Sequence, residues 1–164
     1  MRLAIISDTH DNISNFESAL ELIAEADSIL HCGDLCSPFM IEKMVSLIPG
    51  TTPVHVIWGN NEGDIRLICE KAGAHDNISL HGHFASLLFN GTRVALTHYP
   101  EVARPLAISG EYDLVCYGHD HTAHQEKIKN TVLLNPGELM GLKSTPTFAW
   151  YDTSTHDVDY VAVN

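Results

Sequence analysis

Two apolar rhythms alternate along the first half of the chain. Residues 2–7 are a short run rich in apolar and β-branched side chains that closes on polar ones, the pattern of a buried strand. Residues 12–25 follow with apolar positions at Ile13, Phe16, Leu20 and Ile23, the spacing of a helix that Asn12 or Ser14 can cap. The alternation repeats. Residues 28–31 predict a strand ending at Gly33-Asp34, and Pro38 suits the first turn of a helix that Pro49-Gly50 breaks. A third strand over 54–58 ends at Gly59-Asn60-Asn61, and a third helix over 64–72 stops at Gly73.

Three strand–helix pairs in succession imply a parallel sheet with crossover helices. The rhythm then changes. Residues 84–89 and 93–97 flank Asn90-Gly91, a pair that supplies the positive φ of a type I′ hairpin turn. A short helix over 101–108 is weakened by Pro105, and residues 112–117 form a strand ending at Gly118-His119. Short strands over 125–128, 131–134, 147–151 and 158–163 complete the chain. No linker or shift in composition divides the halves, so the expectation is one α/β domain over residues 1–164 with a mixed, double sheet.

Composition narrows the function. The longest apolar runs fall far below the roughly 20 residues that span a bilayer, and Ser7, Asp8 and His10 cut short the first of them before it could serve as a secretory leader. A cytoplasmic location is expected. Cys32, Cys36, Cys69 and Cys116 lack the paired spacing of a structural zinc site and read as free thiols in a reducing compartment. A formal net charge of −12 argues against strong nucleic-acid binding or attachment to anionic membranes, and it suits a protein whose carboxylates hold divalent cations.

The placement of metal-binding residue types carries the chemistry. Asp8 and His10 follow the first strand, Asp34 the second, Asn60 the third, His98 the second hairpin strand, and His119 and His121 the strand after it. Carboxyl ends of parallel strands converge on one crevice in open α/β sheets. Carboxylate, imidazole and amide donors without thiolate favour Mn, Fe, Zn, Co or Ni. Seven such donors exceed the needs of one zinc and suit two metals sharing a carboxylate. Glycines before Asp34, Asn60 and His119 are expected to allow the tight turns.

The ordered series Asp8-x-His10, Gly33-Asp34, Gly59-Asn60-Asn61-Glu62, His98 and Gly118-His119-x-His121 resembles the calcineurin-like metallophosphoesterase superfamily. Chain length and Asn135-Pro136-Gly137 look like its small prokaryotic phosphodiesterase branch. The resemblance implies a sandwich of two mixed β-sheets flanked by helices. It implies two divalent ions, manganese foremost, one held by Asp8, His10, Asp34 and His121 and the other by Asp34, Asn60, His98 and His119. Hydrolysis of a small phosphodiester by a hydroxide between the two metals is the implied activity, with Asp34, His98 and Asn61 in the catalytic machinery. Self-association is common among small relatives, and some members of the fold act as non-catalytic scaffolds.

Three positions depart from the pattern. Asn61 stands where many members carry a histidine, and an amide cannot serve as a general acid. Tyr99 replaces a glycine, either lining the pocket or filling space, and Glu138 replaces a serine without an evident role. Asp11, Asn12 and Asp120 are candidates to orient metal ligands, and Arg66 and Arg104 are the candidates to clamp a dianionic phosphate. His31, His55, His75, His81, His83, His124 and His156 read as ordinary core or surface residues.

Overall fold

Every residue of the first strand after Arg2 is buried, because both faces of its sheet are covered and a doubly covered strand must be apolar throughout. The structure, a computed structural model, describes residues 1–163. The first half runs β1 (Arg2–Ile6), α1 (Ile13–Ile23), β2 (Ser28–His31), α2 (Pro38–Leu47), β3 (Val54–Val56), α3 (Ile65–Ala72) and β4 (Ile78–Leu80). The second half runs β5 (Phe84–Phe89), β6 (Thr92–Thr97), α4 (Pro100–Ser109), β7 (Leu114–Cys116) and β8 (His124–Ile128). It finishes with β9 (Thr131–Asn135), β10 (Thr147–Asp152) and β11 (Val158–Ala162).

Two mixed sheets result. One has the order β11-β10-β1-β2-β3-β4, with β1 to β4 parallel; the other has the order β5-β6-β7-β9-β8, with β6, β7 and β9 parallel. Side chains alternate across the first sheet. Ala4 and Ile6 meet Phe16, Leu20 and Met40 of the helices, whereas Leu3 and Ile5 meet Val94, Leu96 and Leu134 of the second sheet. Helix α4 covers the outer face of the second sheet through Ala103 and Ala107. The arrangement is the two-sheet sandwich flanked by helices that the sequence implies.

Caps explain most helix boundaries. Asn12 Oδ1 accepts from Asn15 N at the start of α1, and Asp64 Oδ1 accepts from Leu67 N at the start of α3. Pro38 and Pro100 occupy first turns, where no N–H is needed. Gly73 ends α3 as expected, with φ of −64° and its N–H donating to Cys69 O. Helix α4 continues through Pro105 instead of yielding to it; the bond that proline cannot donate would have gone to Glu101, whose exposed turn is open to water. Strand β4 escapes notice in the sequence because it is three residues long with a polar centre.

Candidate metal centre

The parallel strands of both sheets end on the same edge, and their loops bend sharply there. Asp8, His10, Asp34, His119 and His121 all have positive φ, between 41° and 73°. L-residues other than glycine adopt this region at a cost, and clusters of such residues mark functional sites. Neighbouring glycines make room. Gly33 has φ of +99°, but Gly59 and Gly118 are required for closeness, not for φ. A Cβ on Gly59 would lie 2.0 Å from Asp34 Oδ1, and one on Gly118 would lie 2.0 Å from Ser7 Oγ and 2.5 Å from Asp8 Oδ2. The expectation of tight turns at all three is therefore corrected: the left-handed geometry falls largely on the donors themselves.

All seven residues singled out in the sequence come together, in two sets. In the first, His10 Nε2 lies 3.8 Å from Asp8 Oδ1 and 3.2 Å from Asp34 Oδ2, and His121 Nε2 lies 3.5 Å from Asp8 Oδ1. In the second, His98 Nε2 lies 3.5 Å from Asp34 Oδ1 and 3.1 Å from Asn60 Oδ1, which is also 2.9 Å from His119 Nδ1. Asp34 belongs to both, one oxygen facing each set. Asp8, Asp34 and His98 are buried, whereas Asn60 and Asn61 sit at the mouth of an open cleft of about 480 Å³ that also borders His10 and Cys36.

The surrounding loops hold the carboxylates still. Asp34 Oδ1 accepts from the backbone N–H groups of Asn60 (2.7 Å) and Asn61 (2.8 Å), and Oδ2 accepts from Asn61 Nδ2 (2.9 Å). Asp8 Oδ2 accepts from Ser7 Oγ at 2.6 Å. Glu62 accepts from Gly59 N and Leu35 N through one oxygen and Cys36 N through the other, tying the Asp34 and Asn60 loops together. Burial opposes charge on Asp34, yet His10, His98 and Asn61 hold it far below the usual carboxylate range. Asp8 is lowered in the same way, mainly by His10 and Ser7 acting against burial. The Asp34 and Asp8 carboxylates beside it raise His10 to about 11. Burial works against charge on His98, but Asp34 and the Cys32 carbonyl prevail and its pKa rises.

Divalent cations fit this set. His10 Nε2 is buried beside two carboxylates and has no hydrogen-bond partner, which is rare for a buried polar atom. Asp8, His10 and His121, and separately Asp8, Asp34 and His98, offer donor atoms within 4.8 Å of one another. Carboxylate and imidazole donors at this spacing suit a first-row divalent ion.

Other expectations need correction. Asp11 accepts from Ser37 N, Asn12 caps α1 and donates to Met140 O, and Asp120 accepts from Asn135 Nδ2 and Thr122 N. They shape loops and do not orient the donors. Arg66 pairs with Glu70 and Arg104 with Glu126 on the surface, and neither lines the cleft at Asn60 and Asn61. His31 is buried, held at about 4 by desolvation, and accepts from Gly33 N. His81 pairs with His55 (2.9 Å), away from the donor sets. Tyr99 packs edge-on against His98 and His119, lining the second set. The residue missed is Glu138. It is fully buried, with Oε2 2.6 Å from His121 Nδ1. The signal was available, because Glu138 follows β9 as each donor follows its own parallel strand.

The family model for the calcineurin-like phosphoesterase superfamily domain matches residues 1–156. The chain belongs to that superfamily. A phosphodiesterase of Methanocaldococcus jannaschii is 30% identical over 158 residues, covering 93% of each chain. A solved archaeal phosphodiesterase is 28% identical, with a TM-score of 0.88 and 99% of both chains covered. Vps29 of Entamoeba histolytica shares the fold alone, at 16% identity and a TM-score of 0.68 over the full length of both chains. Members of the superfamily use divalent metals, and the donor sets described above offer such ions a place. No described helix is long and apolar enough to cross a membrane.

Proposed function

We propose that the chain is a metal-dependent phosphodiesterase. Asp8, His10, Asp34 and His121 would hold one divalent cation, and Asp34, Asn60, His98 and His119 a second. The observation that carries this reading is the two-sided placement of Asp34, with Oδ2 turned to one donor set and Oδ1 to the other. When bound, two such cations supply a water of lowered pKa and neutralise charge on the phosphoryl oxygens.

The chain's own residues orient that chemistry. Two backbone N–H groups and Asn61 Nδ2 fix the plane of Asp34. The Asn61 amide is thereby committed to Asp34, and an amide has no acidic proton for a departing alkoxide. Esters whose leaving group departs unaided are therefore the preferred substrates. Aryl phosphodiesters should be cleaved much faster than alkyl ones, and equal rates across leaving groups of widely different pKa would refute this.

The competing reading is a phosphomonoesterase. A dianionic monoester favours a cationic clamp, and neither arginine candidate lines the cleft at Asn60 and Asn61. A non-catalytic scaffold is disfavoured by the complete donor set. Further parts of the reading are manganese as the first metal to try, before Fe, Ni, Co or Zn, and a single domain over 1–164. We also propose a cytoplasmic location, self-association, and a small diester rather than nucleic acid as substrate, in line with the net charge of −12. The deciding experiment is metal analysis of purified protein, then chelation and add-back with bis-aryl and mono-aryl phosphates. Bis-aryl turnover restored by Mn²⁺ is expected. Turnover confined to mono-aryl phosphate would favour the monoesterase, and no turnover with any divalent ion would favour the scaffold.

A further inference from the structure

The second nitrogens of the donor histidines meet different partners. His98 Nδ1 lies 2.8 Å from the Cys32 carbonyl, a neutral acceptor. His10 Nδ1 lies 3.7 Å from Cys36 Sγ, and His119 meets the second set through Nδ1 itself, 2.9 Å from Asn60 Oδ1. His121 alone is backed by a further carboxylate, with Glu138 Oε2 2.6 Å from its Nδ1. We propose that Glu138 is a positioning residue for His121, keeping the proton on Nδ1 and Nε2 free to ligate, so that the Asp8–His10–Asp34–His121 set is the tighter of the two cation sites. This rests on the two-cation reading above.

The geometry leaves Glu138 little else to do. The side chain is fully buried, a costly place for a carboxylate unless its oxygens are satisfied. Oε1 accepts from Lys143 N and Ser144 N, each at 2.7 Å, which leaves Oε2 for His121. An ionised carboxylate only accepts, so the shared proton belongs on Nδ1, and a negative partner makes Nε2 a better ligand. The loop is held in place on both sides of the contact: Leu139 N donates to Ser7 O, Met140 N to Asp8 O, and Thr147 N to Glu138 O. The same segment thus clamps the Asp8 backbone and aims His121. The first set then has the carboxylates of Asp8 and Asp34 among its ligands and Glu138 behind His121, whereas the second has Asp34 and the neutral Asn60.

Zn²⁺ titration by calorimetry and by chelator competition tests the assignment on the wild type, Glu138→Gln and Asn60→Ala. Two binding steps are expected in the wild type. Glutamine fills the same space and can still accept from Lys143 N and Ser144 N, but its amide donates to Nδ1 and drives the proton to Nε2. Glu138→Gln should therefore weaken the tighter step by roughly 10–100-fold. Asn60→Ala should abolish the weaker step and keep the tighter one. Unchanged affinity in Glu138→Gln would overturn the proposal, as would loss of the tighter step in Asn60→Ala. Nitrogen-15 NMR of Zn²⁺-loaded wild type gives a check free of mutation: His121 should carry its proton on Nδ1, and a bare Nδ1 would overturn the assignment. Wild type that takes up no Zn²⁺ would instead overturn the metal reading itself.

Discussion

The two ends of the parallel strands use the same residue types for different purposes. Just before the strands, Asp27 accepts from Arg2 N, Asp113 from the backbone and guanidinium of Arg93, and Asn77 donates to Thr52 O. Asn90-Gly91 turns a hairpin with φ of 48° and 88°. These groups have ordinary partners near the surface. Just beyond the strands, Asp8, Asp34 and His98 are buried, several donors have positive φ, and His10 Nε2 lacks a partner. What separates a cap from a site is thus burial, positive φ and an unpartnered imidazole nitrogen, not which residue type stands there.

The largest test of that contrast is Asp34→Asn. Asparagine keeps the shape but loses the charge shared by both donor sets, and turnover of a bis-aryl phosphate should fall by about 10²–10³-fold or more. Retained turnover would detach Asp34 from the chemistry. Gly118→Ala comes next, because its Cβ would enter the space of Ser7 Oγ and Asp8 Oδ2. A loss of about 1–3 kcal/mol in chemical denaturation is expected, together with weaker cation binding.

Stability against pH should differ between metal-free and loaded protein. His10 has a folded pKa of about 11 against 6.5 unfolded, so the folded state binds the extra proton between those values. Its contribution is complete below pH 6.5 and is lost as pH rises toward 11. Asp8 and Asp34 act at the other end, contributing above their ordinary value of 3.8 and losing that contribution as pH falls through their lowered values. Melting temperatures in chelator should therefore decline on the alkaline side, and saturating Mn²⁺, which requires neutral His10, should flatten that decline. Parallel curves would refute the coupling.

The smallest effects belong to the opposite end. Nothing lies within 4 Å of a Cβ on Gly50, so Gly50→Ala should change stability by less than about 1 kcal/mol. Asp113→Ala loses a surface pair with Arg93 and a bond from the Arg93 backbone N–H, and it should cost a little stability and leave turnover intact. A drop in activity in either variant would blur the difference between the two ends.

Element order was legible because apolar periodicity and turn residues are local. The alternation of Ile13, Phe16, Leu20 and Ile23, and the Asn90-Gly91 turn, can be read without knowing what packs against them. Strand β4 was not, since three residues with a polar centre become a strand only through pairing with β3. The same limit applied at the site. Asp11, Asn12 and Asp120 looked suited to orienting donors by proximity in sequence, but their partners are loop backbone and Asn135. Glu138 carried the same strand-end signal, just past β9, but its partner His121 is 17 positions away and only packing joins the two.

By itself the sequence determined which residues could ligate a cation and that each follows a strand, because donor chemistry and strand endings are properties of short segments. Tertiary structure decided which oxygen of Asp34 faces which donor set, why Gly59 and Gly118 must lack a side chain, and that Glu138 stands behind His121. Those are distances of a few ångströms between residues remote along the chain. They exist only once the two sheets have packed and brought their carboxyl ends to one edge.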